Sequence, residues 1–136
     1  MDTVESECDC ALMSDVATAN KERFLQAFAS FAAGDFDVLR GVLREDFVEH
    51  SPGNPSGRDA WLEYLSTSPI AGAQLDLKRV IADDEYVVVH YQLIDAPGSA
   101  GVAVVDLWRF EDGLVAEHWD VIQPVPDAAE TPNGMF

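Results

Sequence analysis

Two neighbouring segments in the C-terminal third of the chain carry residues suited to acid/base chemistry. Asp106 lies in VVDLWRF, and His118 and Asp120 lie in LVAEHWDV. The other residues of both segments are mainly aliphatic and aromatic, which is typical of β-strands. A carboxylate or an imidazole in such an apolar setting is costly unless it is paired or used. We therefore predict Asp106, His118 and Asp120 as candidate catalytic residues.

The turn Glu111-Asp112-Gly113 predicts that these two segments form a β-hairpin, with Gly113 supplying a positive φ. Side chains alternate along a strand, so the even-numbered residues of both arms are expected to share one face. That face would combine an apolar wall with ionisable groups, as a small-molecule pocket does. It would carry Asp106, Trp108, Phe110, Ala116, His118 and Asp120.

The odd-numbered residues of the hairpin predict a different use for the opposite face. Arg109 and Glu117 are expected to pair across the strands. Trp119, if exposed there, would suit a homodimer interface. This division depends on the register, because a β-bulge in one arm would reassign the faces.

The candidates on the even face also allow other interpretations. Asp120 and His118 could form a sheet-edge ion pair with Arg109 instead of facing a pocket. Asp106 could lie across from His118 and fix the tautomer of its imidazole. If Asp106 is instead protonated in an apolar site, it could donate a hydrogen bond to an oxyanion.

The remaining two histidines, His50 and His90, are weaker candidates. His50 precedes a turn rich in Pro and Gly, where it could anchor the loop or take part in proton transfer. His90 lies within the strand-like segment YVVVHYQL and could line the pocket or belong to the core. The histidines show neither HExxH nor HxH spacing, so we predict no metal site.

The order of patterned segments predicts an α+β fold. Residues 1–18 read as an acidic tail, and Asn20 is expected to cap a first helix that ends at Gly34. Two shorter helices should follow, one from Asp35 and one near Arg58. From Leu75 onwards the apolar period changes to two, which predicts about four long antiparallel strands.

A curved sheet folded over these helices would enclose a cavity. Phe28 on the first helix and Trp61 on the third are expected to line it, together with His90, Trp108 and Phe110. We assign residues 19–126 to one domain and residues 127–136 to a C-terminal tail.

Length and charge restrict the class of protein. A chain of 136 residues is long enough for one domain with a substantial core. Its net charge of −17 argues against nucleic acid and anionic membranes as partners. The acidic N-terminus lacks the basic start of a signal peptide, so we expect a cytoplasmic location. Cys8 and Cys10 are too close together to crosslink the fold.

Three segments resemble the SnoaL-like polyketide cyclase family, part of the NTF2-like, ketosteroid-isomerase-like superfamily with its cystatin-like fold. They are FAAGDFD at 31–37, FVEHSP at 47–52 and VVDLWRFEDGLVAEHWDV, within a likeness that covers residues 20–124. Glu117-His118-Trp119-Asp120 is the most specific part. The resemblance implies a cone-shaped α+β barrel in which N-terminal helices pack on a curved antiparallel sheet. It also implies a homodimer formed through the outer sheet face.

The resemblance further implies acid/base chemistry without a cofactor, a metal or a nucleotide. Asp120 falls where the cyclases place the acid/base of an aldol closure. Asp106 falls where the cyclases have a pocket histidine and the isomerases a carboxylic acid. His50 falls where the isomerases carry their general base. The isomerases also have a tyrosine on the first helix, where this chain has Ala27-Phe28 and no hydroxyl.

The expected function is therefore enzymatic, acting on a small apolar compound that contains a carbonyl group. The reaction would be an aldol-type cyclisation or an isomerisation. Two alternatives remain open, because one fold serves many functions. The domain could bind a hydrophobic ligand or a protein without catalysis, or it could be a hydrolase or a dehydratase.

Overall fold

The computed structural model describes residues 13–136, so Cys8, Cys10 and most of the predicted 1–18 tail lie outside the described residues. Helix α1 runs from Asp15 to Ala32. Its N-cap is Ser14, whose hydroxyl accepts a hydrogen bond from the Ala17 amide at 3.0 Å. The predicted cap at Asn20 is wrong, because Asn20 lies within the helix and its side chain is buried. The predicted end is confirmed, with Gly34 at φ +92° just beyond it.

Two shorter helices follow α1. Helix α2 spans Asp37–Val42 and leads directly into the first strand. Helix α3 spans Arg58–Ser66 and buries three side chains, Trp61, Leu62 and Leu65. Both helices therefore help to cover one face of the sheet. No helix of the described residues is long and apolar enough to span a membrane.

The sheet has five strands within the described residues. They are β1 Leu43–Glu49, β2 Gln74–Ala82, β3 Tyr86–Ile94, β4 Val102–Glu111 and β5 Leu114–Pro124, in the spatial order β1-β5-β4-β3-β2. Strands β2 to β5 are antiparallel, whereas β1 pairs with β5 in parallel. The α+β prediction is confirmed. The sheet is open, with β1 and β2 as its edges, so the expected barrel does not close.

The hairpin of β4 and β5 has the predicted turn. Asp112 and Gly113 both have positive φ angles, +53° and +80°, as a two-residue Asp-Gly loop requires. Asp106 lies opposite Asp120, and Trp108 lies opposite His118. All four residues line the same cavity, so the predicted shared face is confirmed for them.

The strand register shifts in three places. The first shift lies between Leu43 and Val48, in the pairing of β1 with β5. The second lies between Arg109 and Phe110 near the turn, where Ala116 of β5 is the extra residue, and it brings the even-numbered residues of the two arms opposite one another.

The third shift lies between Leu77 and Arg79 in β2, where Lys78 is the extra residue. The predicted alternation through β2 is therefore wrong beyond Lys78, and Ile81 is 64% exposed.

The C-terminal segment returns to the sheet. A short 3-10 helix spans Ala128–Glu130. Beyond it, the ring of Phe136 stacks on His90 with centroids 5.5 Å apart. The amine of Lys78 lies 5.2 Å from the centre of the same ring. The last residue of the predicted tail therefore packs on the outer face of the sheet.

Candidate active site

A cavity of about 80 Å³ lies between the helices and the concave face of the sheet. Its walls are aromatic and aliphatic, and its polar groups are gathered on one side. The aromatic lining is Phe24, Phe28, Phe31, Trp61, Tyr91 and Trp108. The aliphatic lining is Ala27, Leu39, Leu65, Ile70 and Leu75, and the polar lining is Asn54, Asp106, His118 and Asp120. No Lys or Arg is among these described lining residues.

A buried imidazole held between two carboxylates forms the polar side of the site. The Nδ1 atom of His118 lies 2.7 Å from Oε1 of Glu49, and Nε2 lies 3.0 Å from Oδ1 of Asp106. All three side chains are at most 7% exposed. Because both ring nitrogens face a carboxylate, His118 donates two charge-assisted hydrogen bonds as an imidazolium. Its orientation is thereby fixed.

Strand pairing brings these three residues together. Glu49 ends β1 and lies beside His118 in the parallel pairing of β1 with β5. Asp106 lies on β4, two residues before Trp108, which is the strand partner of His118. Sequence reasoning missed Glu49, although Phe47 gave the signal. Phe47 belongs to the core, and a period of two from it points Glu49 inwards as well.

The two carboxylates determine the charge of His118. Burial alone would lower the pKa of His118, but the hydrogen bonds and the charges of Asp106 and Glu49 outweigh it and raise the pKa to about 10. The ring also stacks on Trp108, with centroids 3.9 Å apart, which favours a cation. Burial likewise opposes the charge of Glu49, yet His118 and the Ser51 amide hold its pKa below the usual range.

Asp120 is in a different environment from the triad of Glu49, His118 and Asp106. It is only partly buried and lines the cavity opposite Asp106 on the neighbouring strand. Burial raises the pKa of Asp120, and repulsion from Asp106 and Glu49 adds to the effect, against opposition from Ser51 and His118. A raised carboxyl pKa is what a proton-transfer residue needs near neutral pH.

Tyr91 brings a hydroxyl group to the cavity wall. It lies on β3, is 4% exposed and lines the cavity. Burial and the neighbouring Asp106 raise the pKa of the Tyr91 phenol well above its ordinary value, so it stays protonated and able to donate. Sequence reasoning missed this residue too, although the alternation from Val87 and Val89 points it inwards.

His50 does not belong to the cavity, contrary to its prediction as a catalytic residue. Glu49 points inwards, so the next side chain points to the outer face. There the Nε2 atom of His50 lies 2.6 Å from Oε2 of Glu117, and its ring stacks on Trp119 at 4.8 Å. Arg109 binds the other oxygen of Glu117 at 3.0 Å, which confirms the predicted cross-strand pair.

Two predicted pocket residues also lie elsewhere. His90 is on the outer face, between Val89 and Tyr91, and contacts Arg79. Phe110 is buried in the core on the same face as Trp108, but it lies next to the hairpin turn and does not line the cavity. By contrast, Phe28, Trp61 and Trp108 line the cavity as predicted.

Three side chains at the cavity have the chemistry to hold a metal ion. One ligand atom from each of Asp106, His118 and Asp120 lies within 4.8 Å of the other two. In the present arrangement, Nε2 of His118 is committed to Asp106. A metal bound at that nitrogen would have to displace this hydrogen bond and its proton.

Comparison with known proteins agrees with this architecture. The model of the SnoaL-like domain matches residues 22–118, which is most of the chain. The chain belongs to the SnoaL-like domain family. The match includes Glu49, Tyr91, Asp106 and His118 and ends two residues before Asp120. No curated protein sequence matches the chain.

Solved structures show the same fold at low identity. A candidate ketosteroid isomerase from Kribbella flavida is 20% identical, with a TM-score of 0.70 over 85% of this chain and 88% of that one. An NTF2-like protein of unknown function from Burkholderia xenovorans is 19% identical, with a TM-score of 0.73 over 88% and 97%. A candidate SnoaL-like polyketide cyclase from Jannaschia is 19% identical, with a TM-score of 0.66 over 89% and 94%. The NTF2-like fold is thereby confirmed.

Proposed function

We propose that this SnoaL-like chain is an enzyme that transfers a proton next to a carbonyl group, without a cofactor. The observation that carries the proposal is the position of Asp120, a partly buried carboxylate with a raised pKa on the polar side of a mainly apolar cavity. Asp106 lies opposite it and is held by His118. Titratable groups in contrasting environments within a cleft are typical of catalytic sites.

In the proposed reaction, the Asp120 carboxylate removes a proton from the carbon next to the substrate carbonyl. The C–H electron pair becomes the enolate π bond, and the carbonyl oxygen takes the negative charge. The Tyr91 hydroxyl, whose proton is directed to Asp106 in the free site, turns to donate a hydrogen bond to that oxygen. Protonated Asp120 then returns the proton to another carbon, which is an isomerisation. In an aldol closure, the enolate carbon instead attacks a second carbonyl, the π electrons of that carbonyl move to its oxygen, and this oxygen takes the proton from Asp120.

His118 is a positioning residue in this scheme. Both of its N–H groups are bound to Glu49 and Asp106, so neither is free to donate to a substrate. With a pKa of about 10, it also does not act as a base at neutral pH. Its role is to keep the Asp106 carboxylate fixed beside the Tyr91 hydroxyl.

Hydrogen–deuterium exchange at the substrate carbon tests the proposal. In D₂O, the protein should catalyse exchange of the α-protons of a bound ketone. ¹H NMR measures this exchange as the loss of the α-proton signals. Asp120→Asn should abolish this exchange while the fold is retained. His50→Gln is the matched control, because it alters an outer-face residue and should leave exchange unchanged. Exchange at the wild-type rate in Asp120→Asn would refute the role of Asp120.

A non-catalytic binding module is the second candidate. The observation that favours it is that both ring nitrogens of His118 are hydrogen-bonded to carboxylates, so that neither is free to contact a ligand. Such a domain would bind the same ligands in its apolar cavity. It differs from the enzyme in one measurement, since it would bind a ketone without exchanging its α-protons.

We also propose that the protein forms a homodimer through the outer face of its sheet. Four apolar side chains lie in one row across four strands there, Ile81, Val88, Leu107 and Trp119. Val121 beside them is 65% exposed. Light scattering should give the dimer mass for the wild type and the monomer mass for Ile81→Asp. A monomeric wild type would refute this assembly.

The cytoplasmic location stays a prediction.

A further inference from the structure

We propose that Ser51 is a positioning residue for Asp120, whose carboxylate receives a hydrogen bond from the Ser51 hydroxyl. This inference rests on the proposed function, because it concerns the residue that transfers the proton. Ser51 directly follows His50, at the start of the turn rich in Pro and Gly. Three observations support its role: the register of the strands, the contact between the two side chains, and the hydrogen bonds that fix the loop.

The pairing of β1 with β5 brings Ser51 beside Asp120. Glu49 lies next to His118 in this parallel pairing, and the amide of His50 donates a hydrogen bond to the His118 carbonyl at 2.9 Å. Parallel strands run in the same direction, so Ser51 and Asp120 both lie two residues beyond the paired residues and are level with each other. Side chains alternate along an extended chain. Because Glu49 points inwards and His50 outwards, Ser51 points inwards again.

The contact with Ser51 opposes the effect of burial on Asp120. Burial raises the pKa of the Asp120 carboxyl, and the hydrogen bond with the Ser51 side chain is the largest influence that lowers it. An ionised carboxylate only accepts hydrogen bonds, so the Ser51 hydroxyl is the donor of this bond. A hydrogen bond to the ionised form favours that form. Since the ionised form removes the substrate proton, Ser51 supports the first step of the proposed reaction.

Within the described residues, four other ionisable side chains interact electrostatically with Asp120. They are Glu49 on β1, Tyr91 on β3, Asp106 on β4 and His118 on β5. The two carboxylates raise the pKa of Asp120, whereas the imidazolium lowers it. Ser51 differs from these four residues because its side chain is uncharged. Its replacement by alanine therefore leaves every charge around Asp120 in place.

Three hydrogen bonds fix the loop of Ser51 to Glu49. The amide of Ser51 donates to Oε1 of Glu49 at 3.1 Å. The side-chain amide of Asn54 donates to Oε2 of Glu49 at 3.4 Å, and the Glu49 amide donates to Oγ of Ser56 at 3.0 Å. A donor that is held in place before the reaction needs no reorganisation during it. Because the bond from Ser51 to Glu49 uses the backbone, Ser51→Ala keeps it and removes only the hydroxyl.

The pH dependence of α-proton exchange tests the role of Ser51. The exchange of cyclohexanone in D₂O is measured by ¹H NMR over a range of pH for the wild type and for Ser51→Ala. In the variant, the rise of the rate should move to higher pH. On the acid side of this rise the rate should fall roughly tenfold, which corresponds to about 1.4 kcal/mol from a charge-assisted hydrogen bond. An unchanged profile, or an equal loss at every pH, would overturn the role of Ser51.

Two further variants are controls for the hydroxyl group. Ser56→Ala removes a hydroxyl from the same loop and should leave the pH profile unchanged. Ser51→Thr keeps a hydroxyl at position 51 and should also keep the profile of the wild type. The shift seen in Ser51→Ala, if it also occurred in either control, would show that the Ser51 hydroxyl is not what acts on Asp120.

A titration without substrate separates this role from the proposed function. ¹³C NMR of the full chain, labelled at its aspartate carboxyl carbons, follows the ionisation of Asp120, whose signal is identified by its absence in Asp120→Asn. The pKa of Asp120 should be higher in Ser51→Ala than in the wild type. A higher pKa in that variant, with no catalysed exchange in the wild type, would refute the enzyme and support the hydrogen bond. Catalysed exchange in the wild type, with the same pKa of Asp120 in both proteins, would support the enzyme and overturn the role of Ser51.

Discussion

Two of the histidine–carboxylate pairs in the described residues have similar N···O distances but different environments, and they should differ in their contribution to stability. His118 and Glu49 are 2.7 Å apart with side chains 4% and 0% exposed. His50 and Glu117 are 2.6 Å apart with side chains 40% and 23% exposed. We expect His118→Gln to be strongly destabilising and His50→Gln to be nearly neutral.

The expected loss of folding stability in His118→Gln follows from the pKa of His118. One pKa unit corresponds to about 1.36 kcal/mol. The pKa is about 10 in the folded protein against 6.5 for the ordinary imidazole, so folding stability gains about 4 kcal/mol at pH 7. Removing the cation from two buried carboxylates costs roughly 3–5 kcal/mol, which agrees. An exposed pair such as His50–Glu117 contributes at most about 1 kcal/mol.

The pH dependence gives this prediction a clear sign. The folded pKa of His118 is raised, so its stabilisation is complete below about pH 6.5 and is lost as pH rises through about 10. The gap between the wild type and His118→Gln should therefore narrow steadily from pH 7 to pH 10.

Urea unfolding followed by far-UV circular dichroism measures both quantities. His118→Gln should lower the free energy of unfolding by about 4 kcal/mol at pH 7, which is roughly 10 °C or more in melting temperature. His50→Gln should change it by less than about 1 kcal/mol. Equal costs for the two variants, or a gap that does not change between pH 7 and pH 10, would refute the assignment of His118 as a buried imidazolium.

Three further predictions concern the same site. Glu49→Gln removes one of the two carboxylates that raise the pKa of His118, so an NMR titration should show that pKa lowered from about 10; an unchanged value would contradict the pairing. Tyr91→Phe should slow α-proton exchange roughly 100-fold by removing a donor to the enolate oxygen, and a wild-type rate would exclude that role. The exchange rate should rise with pH as Asp120 ionises, at a higher pH than for an exposed aspartate because the pKa of Asp120 is raised. It should fall near pH 10, where His118 loses its proton. If the rise of the rate with pH is still present in Asp120→Asn, another group than Asp120 causes it.

The hairpin could be predicted from sequence because its signals are local. An Asp-Gly turn joins two alternating segments, which predicts the hairpin itself. The register that places Asp106 opposite Asp120 also requires the bulge at Ala116, because the turn alone would place Asp106 opposite Trp119. The prediction of the cap at Asn20 is wrong, because the helix begins earlier, at Asp15, and Ser14 caps it. Only the structure shows that Asn20 is buried inside α1.

The remaining site residues depend on contacts between distant segments. Glu49 and His118 are 69 positions apart and meet only because β1 pairs in parallel with β5. The resemblance to isomerases drew attention to His50, yet the strand alternation directs Glu49 inwards instead. The bulge at Lys78 has no fixed sequence signature, so the outward position of Ile81 could not be predicted from alternation.

The central claim is that Asp120 transfers a proton in the apolar cavity. Its most direct test is exchange of the α-protons of cyclohexanone in D₂O, measured by ¹H NMR for the wild type and for Asp120→Asn. We predict catalysed exchange in the wild type and only the uncatalysed rate in the variant. Equal exchange in both proteins, or cyclohexanone binding without any catalysed exchange, would contradict the account.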